Sequence, residues 1–498
     1  MNAINTRPDS APNRTLLAGL LIFFVFVLNV YRALNQSITH DEALSYNAFA
    51  SQNWRTIFFS FNSNNHVLHS ALIRISTTLL GLSHLSVRLP ALIGGLLYMA
   101  AMERICRDFF IQRNTYLLVL SASILSPFVL DYLVIARGYS LALGFLMLAF
   151  LIGRRIIVSV SKQEEISNSQ AILFSTLCGL SVAANLAFAF PATALLILLL
   201  TQIIWTSQRI NFWKSTLKIL LPAGLVQIIL NPAIFKFNSQ TLYFGADNWA
   251  ASIRSISKAV FGGYDFGRFA QFNTPTSEWL LRSFPFLFAL IGLLGGVLIL
   301  ISVLSKGRDR VSDDWIFVFS LLSLTITLSI IAFYLFGALY PFERTGIYFV
   351  PLFVLLLGMS YEAIAGNGWR KILHWFATAT IFITILVFIV NTRIQSFRGR
   401  EYDAGSQEIY SMLRTLDIKK NTKIGINWLM EPSLNFYRNL YGDSFMPRFT
   451  RSALSGEEEY YVLLPLHSKE DRQFISANEV FTVFEDSISQ AIIGKANN

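Results

Sequence analysis

The chain has 498 residues, of which 54% are hydrophobic and only 14% are charged, and its formal net charge is +10. Soluble proteins carry about 25% charged residues and divide into modules beyond roughly 250–300 residues, so this composition excludes an ordinary soluble enzyme. Apolar runs of membrane-spanning length recur between residues 15 and 390, which predicts a polytopic α-helical membrane protein.

Eleven apolar runs are candidate transmembrane helices. They are residues 15–33, 87–103, 115–133, 139–153, 171–187, 190–206, 217–235, 284–304, 315–337, 346–364 and 374–391. Lysine and arginine concentrate in the N-terminus and in alternate short loops, which predicts a cytoplasmic N-terminus and places the chain after residue 391 outside. The net positive charge therefore indicates topology and contact with anionic membrane lipids, and it does not indicate a nucleic-acid partner.

The first outer loop, residues 35–86, begins with two adjacent carboxylates. Asp41 has two possible roles. It could be a general base or metal ligand, or it could cap the helix that follows. Glu42 could likewise be a first-turn acid favoured by the helix dipole. Farther along, residues 54–61 and 68–79 carry apolar side chains at helical spacing, which predicts two amphipathic helices lying in the membrane interface.

Two histidines follow in the same loop. His66 and His69 have i, i+3 spacing, so both can lie on one helix face and bind a metal together with a nearby carboxylate. The spacing also fits interfacial histidines on an amphipathic helix without a metal, and this interpretation is favoured because local spacing fixes no third ligand. The sequence permits a divalent metal without requiring one, so the cofactor stays undetermined.

Further charges gather on the same side of the membrane. Asp131, Arg137 and Tyr139 lie between the third and fourth runs, and Glu343 and Arg344 lie after the ninth. The two arginines could clamp a phosphate, pair with the neighbouring acids Asp131 and Glu343, or extend to the lipid headgroups. Asp131 could itself be a second catalytic carboxylate. A transporter needs polar groups near the midplane and on both sides, so the one-sided arrangement favours chemistry on a lipid-borne phosphate.

The composition becomes polar after the last apolar run. Strand-like stretches are expected at residues 423–428, 460–464 and 480–484, and a helix over residues 431–440. The sequence therefore predicts two units, a membrane catalytic unit over residues 1–391 and a small α/β domain over residues 392–498 on the outer face.

The order of the motifs resembles a known family. The acidic pair is followed by Asn65-His66, by residues 86–96, by residues 136–141 and by residues 340–345. This order is similar to that of the GT-C superfamily of integral-membrane glycosyltransferases, and closest to the branch with the protein O-mannosyltransferases and the lipid A aminoarabinose transferase. The likeness covers residues 15–390 and is strongest over residues 38–150.

The resemblance implies an inverting transfer of a hexose or pentose from a polyprenyl-phosphate carrier to a hydroxyl group of a lipid, polysaccharide or protein. It assigns the base or metal-binding acid to Asp41, the second acid to Glu42 and a family arginine to Arg137. Many relatives have two prolines after the loop histidine, where this chain has Val67-Leu68. Other candidate substrate or metal contacts on this face are His66, His69, Asp131, Tyr139 and Glu343.

The resulting hypothesis is a glycosyltransferase of the cell envelope, in the cytoplasmic (inner) membrane of a bacterium, with its active site on the periplasmic side. Asp41 deprotonates the acceptor, and Arg137 with Arg344 binds the donor phosphate. One alternative is a lipid-linked sugar flippase or other transporter, although spans five to seven hold few strongly polar side chains. Another is a membrane scaffold whose outer domain binds a partner.

Overall fold

The structure is a computed structural model that describes residues 12–206, 212–233, 244–261, 275–306, 310–364 and 368–495. A helical body is followed by a small mixed α/β domain. In chain order the helices are α1 (Pro12–Asn35), α2 (His40–Ser45), α3 (Trp54–Phe59), α4 (Val67–Leu80), α5 (His84–Phe109), α6 (Arg113–Leu125), α7 (Pro127–Tyr132), α8 (Tyr139–Ser161), α9 (Asn168–Ala184), α10 (Ala189–Thr206), α11 (Phe212–Leu230), α12 (Trp249–Phe261), α13 (Pro275–Lys306), α14 (Arg310–Phe336), α15 (Phe349–Ile364), α16 (Trp369–Val390), α17 (Ser406–Leu413), α18 (Glu431–Tyr441) and α19 (Lys469–Ala477).

Eight helical segments in the described ranges are long and apolar enough to cross a membrane. They are Thr15–Asn35, His84–Phe109, Tyr139–Ser161, Leu186–Trp205, Trp213–Leu230, Phe286–Ser305, Val311–Phe336 and Trp369–Val390. Helices α6, α9 and α15 also coincide with expected spans, but with 13, 17 and 16 residues they are shorter. A polytopic helical architecture is therefore found, while the expected number of eleven spans stays a prediction.

The third expected run, residues 115–133, is divided into α6 and α7 at Ser126-Pro127. Proline donates no backbone hydrogen bond and pushes the preceding residue out of the helical region, and Ser126 has φ −53° and ψ 119°. The break starts a new short helix, α7, in which Asp131 lies.

The first outer loop folds into short helices. The two amphipathic helices expected there are α3 and α4, and Ile57 of α3 packs against Val67 and Ala71 of α4. Before them, α2 runs directly into one turn of π-helix, Tyr46–Ala50. This loop is therefore a packed layer, and its placement in a membrane interface stays a prediction.

The C-terminal domain contains one four-stranded sheet. Its strands are β1 (Ile424–Ile426), β2 (Tyr460–Leu463), β3 (Phe481–Glu485) and β4 (Ile492–Lys495). Their order is β1-β2-β4-β3, with β1 and β2 parallel and the other neighbours antiparallel. The three expected strands and the helix α18 are found, and β4 is an additional strand that the sequence pattern did not indicate.

The C-terminal domain and the first outer loop share a hydrophobic core. Ile38 and Ala43 belong to the same buried cluster as Leu434 and Phe436 of α18. The backbone N–H of Ile38 also donates a hydrogen bond of 2.9 Å to the hydroxyl of Tyr437. Because apolar burial drives this packing, the C-terminal domain is held over the start of the first outer loop.

Candidate active site

A cavity of about 830 Å³ lies where the helical body, the first outer loop and the C-terminal domain meet. Its polar wall includes Asp41 and His66 from the loop, Arg137 and Arg344 from the body, and Arg400 from the segment that leads into the C-terminal domain. Its remaining wall is apolar, with many small side chains such as those of residues 182–183, 187, 189, 332 and 338. The cavity thus has both charged and apolar lining residues.

The start of α2 places Asp41 in the cavity wall. Thr39 caps the helix, since its side chain accepts a hydrogen bond of 3.3 Å from the backbone N–H of Glu42. The Glu42 carboxylate in turn accepts a hydrogen bond of 2.9 Å from the backbone N–H of Thr39, which completes a capping box. The alternative that Asp41 caps this helix is therefore wrong, and its side chain is left for the cavity.

Three guanidinium groups converge on one oxygen atom of Asp41. Its Oδ2 lies 2.5 Å from Nη2 of Arg400, 3.8 Å from Nη2 of Arg344 and 3.9 Å from Nε of Arg137. Burial raises the pKa of Asp41, but the positive charges, that of Arg400 first, outweigh burial and hold the pKa well below its usual range. Asp41 is therefore an anion at neutral pH.

Arg137 is fixed by the first outer loop. Its guanidinium donates hydrogen bonds of 3.0 Å to Oγ of Ser45 and 2.9 Å to Oδ1 of Asn64. The next residue, Gly138, has φ +74°, and a Cβ atom there would lie 2.2 Å from the carbonyl oxygen of Ala184. A glycine at this position lets the turn before α8 pack closely, and this turn presents Arg137 to the cavity.

Arg344 reaches the cavity from a one-turn 3₁₀ helix, Glu343–Gly346. Its guanidinium carbon lies 4.0 Å from the ring centre of Phe244, a cation–π contact. Glu343 lies outside the cavity lining, and its backbone N–H donates to Oγ of Ser255 at 3.1 Å. The structure therefore directs Arg344 toward Asp41 rather than toward its neighbouring acid.

Glu42 and Asp131 lie outside the cavity lining and are held in buried ion pairs. Glu42 accepts two hydrogen bonds from Arg88, of 2.9 and 2.8 Å, and a third of 2.8 Å from the backbone N–H of Ala136. Asp131 pairs with Arg32, so the alternative pairing of Asp131 with Arg137 is not the one that forms. Both carboxylates are occupied by structural partners.

His66 and His69 have different surroundings. His66 lines the cavity with its ring 5.7 Å from that of Tyr139, another lining residue, whereas His69 is buried outside the lining. Burial, and then the charge of Arg137, lowers the pKa of His66 well below its usual value and that of His69 to about 3. Both imidazoles are therefore neutral.

The cavity lining offers few side chains that could bind a metal ion. The described part of the chain holds no group of three or more His, Cys, Asp or Glu side chains that could bind a metal. The carboxylate nearest to His66 in the lining is that of Asp41, which already faces three guanidinium groups. Their positive charge opposes a divalent cation at this position.

The C-terminal unit supplies site residues that sequence reasoning missed. These are Arg400, Tyr402, Trp428, Leu429 and Arg451. Arg400 belongs to a charged run, residues 398–403, directly after the last apolar run and on the same side as Arg137 by the parity of the spans. That signal could have identified Arg400, whereas no spacing rule points to Trp428 or Arg451.

Two solved structures of ArnT from Cupriavidus metallidurans share this architecture. The form bound to undecaprenyl phosphate is 11% identical, with a TM-score of 0.50, and the match covers 97% of this chain and 98% of that chain. The apo form is 12% identical, with a TM-score of 0.51, and the match covers 96% and 97%. A weaker likeness, to the arabinosyltransferase EmbB from Mycobacterium smegmatis, has a TM-score of 0.43 and 10% identity and covers 86% of this chain and 42% of that one.

At the level of sequence, no family model matches the chain and no curated protein matches it. The likeness is thus one of fold, and it extends through the helical body into the C-terminal domain. The chain has the GT-C fold, which confirms the fold that the motif order implied.

Proposed function

We propose that this protein is a glycosyltransferase that moves a sugar from a polyprenyl-phosphate donor to a hydroxyl acceptor. The observation that carries the proposal is the convergence of Arg137, Arg344 and Arg400 on the partly buried carboxylate of Asp41. Clustered guanidinium groups suit a phosphate, and a carboxylate suits the removal of a proton from the acceptor. Sugar transfer from a lipid phosphate needs both groups, because the phosphate is the leaving group and the acceptor hydroxyl loses a proton as it attacks the adjacent anomeric carbon.

The apolar wall of the cavity supports a lipid carrier. It includes small or apolar side chains at Ala183, Ala189, Phe190, Ala332 and Phe336. An isoprenoid chain placed against them would bury apolar surface while its phosphate reached the arginines. The shared fold with ArnT, whose solved structure contains undecaprenyl phosphate, supports the same class of carrier.

The proposed reaction is a single displacement at the anomeric carbon. The acceptor oxygen forms the new bond as its proton passes to Asp41, and the bond between the sugar and the phosphate oxygen breaks. The phosphate leaves with the electron pair and changes from a monoanionic diester to a dianionic monoester. Attack opposite the leaving group inverts the anomeric configuration, and the positive charges of Arg137 and Arg344 stabilise the charge that develops.

Glu42 has a supporting role in this proposal. Its carboxylate keeps the backbone of α2 and the N–H of Ala136 in place, and Ala136 directly precedes Arg137. The two acids therefore have different roles. Asp41 faces the substrates, and Glu42 positions the backbone that carries Asp41 and Arg137.

The proposed topology places the cavity and the C-terminal domain outside the cytoplasmic membrane of a bacterium. Arg104 and Arg107 lie at the end of α5 farthest from the cavity, and Arg154 and Arg155 lie toward the corresponding end of α8. These are the ends that the positive-inside rule assigns to the cytoplasm. The donor would then be used on the periplasmic side.

The proposal is tested by transfer assays with the purified protein in liposomes. The donors are undecaprenyl-phosphate derivatives of glucose, mannose, arabinose and aminoarabinose, each offered with a lipid, a polysaccharide and a peptide acceptor, with and without a chelator. We expect release of undecaprenyl phosphate together with a glycosylated acceptor for at least one pair. Movement of an intact donor across the bilayer without any transfer would contradict the proposal and favour a transporter.

A further inference from the structure

Arg400 lies in a segment that is fixed to the first outer loop and to α1. Phe397 is buried beneath two guanidinium groups, 5.0 Å from that of Arg32 and 5.3 Å from that of Arg88. The backbone N–H of Arg398 donates a hydrogen bond of 2.9 Å to Asp131, and the side-chain amide of Gln36 donates one of 2.7 Å to the carbonyl of Ile394. These contacts hold the backbone on both sides of Phe397 and bring Arg400 into the cavity.

Arg400 is the nearest of the three arginines to Asp41. Its Nη2 is 2.5 Å from Oδ2 of the carboxylate, a charge-assisted hydrogen bond, whereas Arg344 and Arg137 lie beyond hydrogen-bond distance from the same atom. Within the described ranges this is the single hydrogen bond made by the Arg400 side chain. Since a guanidinium carries five N–H donors, Arg400 has donors left for a second anion.

The oxygen Oδ2 of Asp41 occupies the point on which all three guanidinium groups converge. A phosphate oxygen would be stabilised most strongly at this same point, because the three positive charges add there. A carboxylate and a phosphate cannot both occupy it. The donor phosphate and Asp41 therefore compete for one set of cations, and Arg400 is the cation that Asp41 holds directly.

We propose that Arg400 binds the donor phosphate and, in doing so, gives up its hydrogen bond to Asp41, so that Asp41 becomes an effective base only when the donor is bound. This inference rests on the proposed function and adds a residue and a coupling to it. In the empty site the arginines stabilise the Asp41 anion and make it a weak base. When the arginines interact with the phosphate instead, they stabilise the Asp41 anion less, and the carboxylate regains its affinity for the acceptor proton.

The proton balance agrees with this exchange. Before transfer, the arginines face the Asp41 anion and the monoanionic phosphodiester. After transfer, Asp41 is neutral because it holds the acceptor proton, and the released phosphate carries one more negative charge. The negative charge thus moves from Asp41 to the phosphate while the three guanidinium groups stay in place, so Arg400 is a catalytic residue that contacts the substrate.

The test compares two pH profiles of the wild-type enzyme. The profile of kcat/KM for the donor reports ionisation of the free enzyme, and that of kcat reports ionisation of the donor complex. We expect the acid limb of kcat at higher pH than the acid limb of kcat/KM, because the phosphate displaces Asp41 from Arg400. Coincident limbs in the wild-type enzyme would overturn the exchange.

Two variants and a matched control complete the test. Arg400→Gln should weaken binding of undecaprenyl phosphate by at least about tenfold, the size of one lost charge-assisted hydrogen bond, and should bring the two limbs together. Arg400→Lys should restore part of the binding. Arg393→Gln, on the same segment, removes a charge paired with Glu401 instead and should leave binding and both limbs unchanged.

The outcomes separate this inference from the proposed function. If Arg400→Gln folds and binds undecaprenyl phosphate as tightly as the wild-type protein, the assignment of Arg400 to the phosphate is wrong while the glycosyltransferase can stand. If the wild-type protein neither binds undecaprenyl phosphate nor transfers any sugar, the proposed function itself fails.

Discussion

Arg88 and Glu42 form an ion pair that is closed to solvent on both sides. Two guanidinium nitrogens of Arg88 donate to the two carboxylate oxygens of Glu42, at 2.9 and 2.8 Å, and both side chains have 0% exposure. Arg88 also donates hydrogen bonds to the carbonyls of Gln36 and Ser37, which follow α1. One arginine of α5 therefore joins the end of the first long helix to the helix that carries Asp41.

Replacing one partner of this pair should cost stability. Glu42→Gln leaves the Arg88 charge buried without its counter-ion, which typically costs about 3–5 kcal/mol. We expect a clearly lower thermal midpoint in detergent. Glu401→Gln is the control, because its pair with Arg393 is partly exposed and should be worth less than about 1 kcal/mol. Normal stability with lost transfer in Glu42→Gln would instead make Glu42 a catalytic acid.

Asp41→Asn should separate donor binding from transfer. The substitution removes the proposed proton acceptor, so transfer should fall by a factor of about 10²–10⁴. It also removes the anion that we propose competes with the phosphate, so undecaprenyl phosphate should bind at least as tightly as before. Transfer rates and lipid binding measured on the same preparation check both statements. The exposed Asp247→Asn should change neither quantity, and normal turnover by Asp41→Asn would rule out Asp41 as the base.

His69 should make the protein less stable in weak acid. The pKa of this buried imidazole is lowered from 6.5 to about 3, mainly by burial. A depressed histidine pKa means that the unfolded chain binds the proton first, so stability is complete above the unfolded pKa and falls as the pH drops from about 6.5 toward 3. At about pH 5 the loss is about 2 kcal/mol. His69→Leu should flatten this part of the curve of thermal midpoint against pH, and an unchanged slope would contradict the assignment.

Much of the site could be predicted because its residues lie in short motifs on one side of the spans. Asp41, Arg137 and Arg344 were identified from local sequence and parity, and the structure brings all three to one cavity. Arg400 depends on how the C-terminal unit docks, since 359 residues separate it from Asp41 along the chain. No local pattern reports a contact of this kind.

The buried ion pairs could not be predicted, because the sequence position of a charged residue does not identify its partner in the folded protein. Glu42 and Asp131 were candidates for chemistry because charge near a bilayer is costly, yet each has a buried arginine partner, Arg88 and Arg32. The sequence contains these arginines but does not reveal their pairing, which follows from the packing of α5 against α2 and of α1 against α7. The fold class was easier to predict, because the mean hydropathy of a twenty-residue run identifies a membrane-spanning helix whatever the pairing of its individual charged side chains.

Gly138→Ala should damage the site through the backbone. Alanine at φ +74° is strained, and its Cβ would clash with the carbonyl of Ala184, so we expect a loss of about 1–3 kcal/mol and a displaced Arg137. Gly442→Ala is the matched control, because Gly442 is also left-handed, with φ +67°, but no atom lies within 4 Å of the added Cβ. Both variants should lose stability, and only Gly138→Ala should also lose affinity for undecaprenyl phosphate.

Replacement of Trp428 should weaken binding of the acceptor and leave binding of the donor unchanged. Its indole is 52% exposed, lines the cavity, and lies 5.8 Å from the guanidinium of Arg451. Trp54 and Arg74 form a similar pair, 5.2 Å apart with the indole 44% exposed, but outside the cavity lining.

A ring contact of an aromatic side chain is worth about 0.5–1.5 kcal/mol beyond the area that it buries, so loss of such a contact with the acceptor in Trp428→Ala should raise the acceptor KM by roughly three- to tenfold. The donor KM should stay the same, because the substitution leaves the apolar wall and the three arginines proposed to bind the phosphate unchanged. Trp54→Ala should leave both constants unchanged. An equal effect of the two substitutions would mean that Trp428 acts through stability alone, and the acceptor would then have to approach from another wall of the cavity.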